Sequence, residues 1–151
     1  MESAFRYSDG VLYCEGVELQ RLIRSVGTPC YVYSASAIVN NYRAYADGLD
    51  GVPHRVYYAV KANGNLAVLR LLAKAGAGFD IVSGGELYRV LKAGADASSV
   101  VFSGVGKTRE EIDYALEAGI HSFNCESEAE LALISSLAVR QAKTARVAVR
   151  V

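Results

Sequence analysis

Neither sign of charge is in excess in this sequence: sixteen Lys and Arg balance sixteen Asp and Glu over 151 residues, with no basic block or charge run. A nucleic-acid surface needs clustered positive charge, so a small-molecule partner is expected instead. Cysteine is sparse. Cys14, Cys30 and Cys125 are odd in number and far apart, without CxxC or Cys/His spacing, which argues against a zinc site or a disulfide framework and for reduced thiols. No metal site is expected. No apolar run approaches bilayer-spanning length, and the opening "MESAFRYSDG" is polar and charged without an apolar core, so no membrane association and a cytoplasmic location are expected. The signatures HExxH, GxSxG and a calcium loop are missing as well.

Hydrophobic residues make up 52% of the chain, enough for a folded domain with a sizeable core. From about residue 55 onward, β-rich runs alternate with amphipathic stretches. The runs are 55–62 "RVYYAVKA", 78–83 "GFDIVS", 100–104 "VVFSG", 122–125 "SFNC" and 146–151 "RVAVRV". Between them "NLAVLRLLAKAG", "GELYRVLKAG", "TREEIDYALEAG" and "ESEAELALISSLAVRQ" carry the i, i+3, i+4 recurrence of helices with one buried face. Three helices stop at Ala-Gly, at Gly76, Gly94 and Gly119, where glycine can take the left-handed conformation. Thr108 with Glu111 and Ser127 with Glu130 each fit a capping box. Strands alternating with helices imply a parallel sheet with right-handed crossovers.

The first 53 residues read differently. A short strand, a turn at Glu15-Gly16 and a helix from about Val17 to Val26 are followed by Gly27 and Pro29, a second short strand "CYVYS", and a helix capped by Ser34. The chain stops inside an apolar strand, which would leave an unpaired edge. The expected fold is therefore α/β, a parallel (β/α) barrel incomplete here, with roughly five of the barrel's eight units. Residues 1–28 are expected as an N-terminal lead-in and residues 29–151 as the partial barrel. An open doubly wound sheet is the alternative, although no dinucleotide fingerprint follows the first strand.

In such folds chemistry gathers at the carboxyl ends of the strands. That end holds Lys61, Asp80 to Glu86, Ser103 to Lys107, Asn124 to Glu126, and Arg150, whereas His54 and His121 lie at the opposite end. Lys61 closes the run "VYYAVKANGN", and two readings compete: its stem snorkels to water, or the amine is kept dry as a nucleophile. If it continues the strand, Tyr57, Ala59 and Lys61 share a face, and small Ala59 leaves room for a ligand. Parity alone leaves the facing of Asp80 open. Arg150 is flanked by valines. "SGVGKT", residues 103–108, is similar to a phosphate-cradling P-loop, but that motif needs glycine at position 101, which is Val101.

Taken together, these segments resemble a known family. "YYAVKANGNLAVLRLLAKAG" resembles the pyridoxal-phosphate attachment segment of the fold-type III decarboxylases, whose barrel is of the alanine-racemase type. "GAGFDIVSGGELYRVLKAGA", "VVFSGVGKT", "EIDYALEAGI" and "SFNCESEAEL" look most like the diaminopimelate decarboxylases within that group. The likeness runs from about Thr28 to Val151.

The resemblance implies pyridoxal 5′-phosphate as cofactor, Lys61 as the Schiff-base lysine, Asp80 and Glu86 in the polar network beside the cofactor, and Arg150 approaching its ring. Glu86 reads equally as a first-turn helix carboxylate. The implied reaction is decarboxylation of meso-2,6-diaminopimelate, an amino-acid substrate, to L-lysine and CO₂. The family also implies a homodimer sharing residues across its active sites, a β-domain to which the lead-in belongs, and further cofactor-binding elements beyond Val151. An apolar surrounding for Lys61 would favour its free amine. Another decarboxylase or a racemase of the same group, a non-catalytic pyridoxal-phosphate carrier, and an interaction fragment remain as alternatives.

Overall fold

Two tight hairpins open the described part of the chain. In the computed structural model, which describes residues 3–151, β1 (Phe5–Ser8), β2 (Val11–Cys14) and β3 (Val17–Glu18) form an antiparallel sheet in that order. Asp9 and Gly10 turn the first hairpin at φ 50° and 74°, and Glu15, at φ 55°, begins the second turn. Positive φ at a two-residue loop matches the right-handed twist of the flanking strands. The sequence reading gave one strand here; the Asp9-Gly10 pair was the signal for the other. Because Val17 and Glu18 pair with β2, the first helix, α1 (Leu19–Val26), starts two residues later than its periodicity suggested.

The segment expected as the strand "CYVYS" has no sheet partner. Its last residue, Ser34, instead caps α2 (Ala35–Gly48), accepting the N–H of Ala37 at 3.0 Å and donating to the Glu15 carboxylate at 2.6 Å. That exposed carboxylate is held below its usual range by the Ser34 hydroxyl and by Ser36.

The second sheet is wholly parallel. β4 (Tyr57–Ala59), β5 (Gly78–Ile81), β6 (Val100–Phe102), β7 (Ser122–Cys125) and β8 (Val147–Val149) lie side by side in sequence order. They are joined through α3 (Leu66–Ala75), α4 (Gly84–Lys92), α5 (Arg109–Ala118) and α6 (Glu128–Arg140). This order decides between the two architectures. A doubly wound sheet reverses its strand order and so covers both faces with helices. Here each strand lies beside its predecessor, so right-handed crossovers put every helix on one side, and the helices pack in succession from α2 to α6. The result is an arc of a (β/α) barrel.

Strand alternation sorts side chains between the helix-covered face and the inner face. Phe79, Ile81, Val100, Phe102, Phe123 and Cys125 face the helices and are buried against Leu69, Leu72, Leu87, Val90, Ile112 and Ile134. Each such aliphatic or aromatic side chain contributes about 1.5–3 kcal/mol on burial. Phe102 and Phe123 stack with ring centroids 6.1 Å apart. The inner face carries Ala59, Asp80, Val101 and Ser122 in one cross-strand row, because the register pairs Ala59 with Asp80, Asp80 with Val101, and Val101 with Ser122. The Ala-Gly stops are as expected: Gly76, Gly94 and Gly119 have φ of 94°, 91° and 76°.

Candidate functional site

The carboxyl ends of the five strands form one rim, held by the caps of the helices that follow. Ser83 starts α4, accepting the N–H of Glu86, while the Glu86 carboxylate accepts the N–H of Val82 at 2.8 Å. Ser127 and Glu130 repeat this at α6: Ser127 accepts the N–H of Glu130, and Glu130 accepts the N–H of Glu126. The expected box at Ser127 is thus only half reciprocal, since the carboxylate returns one residue further back. At α5 Thr108 and Glu111 make the full reciprocal box. Glu111 also accepts the N–H of Gly84 at 2.8 Å, tying the start of α5 to that of α4. Burial alone would raise the Glu111 pKa; the N–H donors of Thr108 and Gly84 outweigh it and hold the carboxyl below its usual range.

Lys107 is the buried cation of this rim. Its side chain is 0% exposed. Its ammonium donates to the carbonyls of Gly104 at 2.7 Å and Asn124 at 2.8 Å and pairs with Glu130 at 2.5 Å. The same nitrogen lies 5.6 Å from the centre of the Phe102 ring. All three ammonium protons are placed, so the charge is fully compensated without water. The "SGVGKT" loop therefore uses its lysine to fasten the end of β6 to the end of β7 and the start of α6. Neighbouring Cys125 is pushed up in pKa, first by burial and then by Glu130, with Lys107 acting in the opposite direction. That keeps it a neutral thiol.

Asp80, whose facing the sequence left open, lies on the inner face. Its Oδ1 accepts the hydroxyl of Ser103 at 2.5 Å, and Ser103 in turn accepts the side-chain amide of Asn124 at 2.9 Å. Just past the end of β7, Glu126 accepts the N–H of Gly104 at 3.2 Å and the guanidinium of Arg150 at 3.0 Å. Arg150 extends the parallel ladder, donating its N–H to the carbonyl of Cys125 at 2.9 Å, and its side chain remains 65% exposed.

Lys61 departs from the expectation of an amine kept dry on a strand. β4 ends at Ala59, and residues Val60–Ala62 form one turn of 3₁₀ helix in which Val60 is buried and Lys61 exposed. The strand alternation that would have put Lys61 beside Tyr57 and Ala59 therefore does not reach it. The ladder between β4 and β5 ends at the pairing of Ala59 with Asp80, and the 3₁₀ turn begins directly after it. Glu86 is likewise committed to the α4 cap. What the sequence reading did not join is the Ser103–Asn124 link to Asp80; period-two parity along β7 and one residue past the end of β6 was the available signal.

A cavity of about 530 Å³ opens beside β4, lined by Tyr33, Tyr42, Tyr45, Tyr57 and Tyr58 among others. It is largely apolar, and burial raises the pKa of Tyr58 there, whose hydroxyl donates to the Asn63 carbonyl at 3.3 Å. Among the described residues no group of three or more His, Cys, Asp or Glu could hold a metal, and no helix is long and apolar enough to cross a membrane.

Comparisons with known proteins converge. Residues 35–151 match the family described as pyridoxal-dependent decarboxylase, pyridoxal binding domain. The diaminopimelate decarboxylase of Pseudomonas aeruginosa is 56% identical over 147 residues, covering 97% of this chain and 35% of that protein. The enzyme of the same name from Neisseria meningitidis serogroup A is 51% identical, covering 93% of this chain and 34% of that protein. Among solved structures, diaminopimelate decarboxylase from M. jannaschii in co-complex with L-lysine superposes with a TM-score of 0.89 at 40% identity, covering 97% of this chain and 35% of that one. The chain spans about a third of the length of these relatives.

Proposed function

The chain belongs to the pyridoxal-dependent decarboxylases, and on that premise we propose that the intact protein decarboxylates meso-2,6-diaminopimelate to L-lysine and CO₂ with pyridoxal 5′-phosphate as cofactor. The observation that carries the reading is that an exposed primary amine, a half-buried carboxylate and a guanidinium, Lys61, Asp80 and Arg150, all stand at the carboxyl ends of strands of one parallel sheet. This donor set fits the cofactor. Lys61 has the amine that condenses with its aldehyde, and it enters no hydrogen bond or ion pair among the described residues. Asp80 keeps its second oxygen unshared, and Ala59, paired with it across the sheet, is small enough to leave room for a ring.

Each residue then has a stated task. Lys61 would hold the cofactor and would take up or deliver a proton at Nζ. Asp80 would accept a hydrogen bond from the cofactor, and Arg150, steadied by Glu126, would supply positive charge to it. Glu86 stands one step back, fixing the start of α4 beside Asp80 rather than reaching the cofactor itself. Bound pyridoxal phosphate supplies an electron sink for the pair left at Cα when CO₂ departs. Ordering the cofactor in advance lowers the entropic cost of meeting the substrate.

The same reading assigns a cytoplasmic location, supported by three unpaired cysteines, a homodimer, and residues 1–28 to a separate β-domain. The test is borohydride reduction of the intact protein loaded with cofactor, followed by peptide mass analysis and by CO₂ release from meso-diaminopimelate, arginine, ornithine and lysine. A cofactor mass on Lys61 with release from diaminopimelate alone is expected. Absence of any adduct at Lys61 would overturn the cofactor assignment, and release from a different amino acid would overturn the substrate.

A further inference from the structure

Asp80 is held by a hydrogen-bond chain whose direction the chemistry fixes. The side-chain Nδ2 of Asn124 can only donate, and it donates to the Ser103 hydroxyl at 2.9 Å. With its oxygen accepting there, Ser103 has one proton to give, and it goes to Asp80 Oδ1 at 2.5 Å. The three residues come from three successive strand ends. Ser103 is 9% exposed, and its own N–H is fixed on the carbonyl of Ile81 at 2.8 Å. The carbonyl of Asn124 is held by the buried ammonium of Lys107 at 2.8 Å. The Ser103 hydroxyl, itself accepting from Asn124, occupies one carboxylate oxygen and leaves the other open to the inner face.

We propose that Ser103, oriented by Asn124, is a positioning residue that fixes which oxygen of Asp80 is presented to the cofactor. The inference rests on the assignment of Asp80 to the cofactor side. Without the serine proton, Asp80 is free to rotate and to divide its acceptor capacity between the cofactor and water, and its hydrogen bond to the cofactor loses directional constraint. A bond of this kind, made to a charged acceptor, is among the stronger ones in proteins.

The test compares wild-type intact protein with Ser103→Ala, Asp80→Asn and the double variant, using pyridoxal phosphate as the probe. The visible absorbance of the bound cofactor is followed across pH, its dissociation constant is measured, and the cofactor-free forms are unfolded in denaturant. Both single variants are expected to move the absorbance titration in the same direction, with Ser103→Ala binding cofactor about tenfold more weakly. The double variant is expected to show no shift beyond that of Asp80→Asn, because residues acting through one contact do not add. A purely structural link would lower the cofactor-free stability of Ser103→Ala and leave the absorbance titration as in wild type; that result overturns the proposal, as do additive shifts in the double variant. If Asp80→Asn leaves the absorbance unchanged while reduction still marks Lys61, the positioning role fails and the cofactor assignment stands. If reduction marks no lysine in the wild type, both fail.

Discussion

Lys107 and Glu130 form an ion pair at 2.5 Å in which the lysine side chain is fully buried and the glutamate 10% exposed. They lie 23 residues apart in the chain, and through them the β6–α5 loop, the end of β7 and the start of α6 are joined. Replacing one partner leaves the other charge buried and unmatched. Lys107→Met is therefore expected to destabilise the protein by about 3–5 kcal/mol, measured by denaturant unfolding. Adding Glu130→Gln, which removes the stranded charge, should recover part of the loss.

Glu111 links pH to stability. Its folded pKa is lowered, so on acidification the unfolded chain takes up this proton before the folded one does. The contribution is complete above the unfolded value, about 4.3 for glutamate, and is lost as pH falls through the lower folded value. Glu111→Gln should flatten that part of the acid limb in an unfolding series and cost about 1 kcal/mol at neutral pH through the weakened cap.

At Gly78 there is no room for a side chain. A Cβ there would stand 2.6 and 2.7 Å from ring carbons of Tyr57 and 3.0 Å from the Ser99 carbonyl. Gly78→Ala is expected to cost about 1–3 kcal/mol, the range for overpacking, by pushing Tyr57 and with it the β4 edge that leads to Lys61. Thermal unfolding together with cofactor affinity would register both effects.

Lys61 separates function from stability. Exposed and bonded to no described residue, it should be replaceable by alanine with a change in folding free energy within about 0.5 kcal/mol. Lys61→Ala should nevertheless abolish covalent retention of pyridoxal phosphate after borohydride reduction, read by mass spectrometry.

Helices, their stops and the alternation of strand with helix were legible because they depend on neighbours within four residues: a 3.6-residue apolar period, Ala-Gly at Gly76 and Gly119, Thr108 three residues before Glu111. The hairpin at Asp9-Gly10 is equally local, since its signal is the dipeptide itself. Identification of the family was a sequence property too, resting on linked segments from "YYAVKANG" to "SFNCESEAEL".

Contacts between distant residues were decided by the fold alone. Strand order, not strand existence, separates a barrel arc from a doubly wound sheet, and order is set by how crossovers pack. The Asp80 carboxylate is bonded by Ser103, 23 residues away, and Ser103 by Asn124, 21 residues further. The exposure of Lys61 follows from where the ladder between β4 and β5 ends, at the pairing of Ala59 with Asp80. Such relations depend on through-space register, to which no local periodicity in the chain is sensitive.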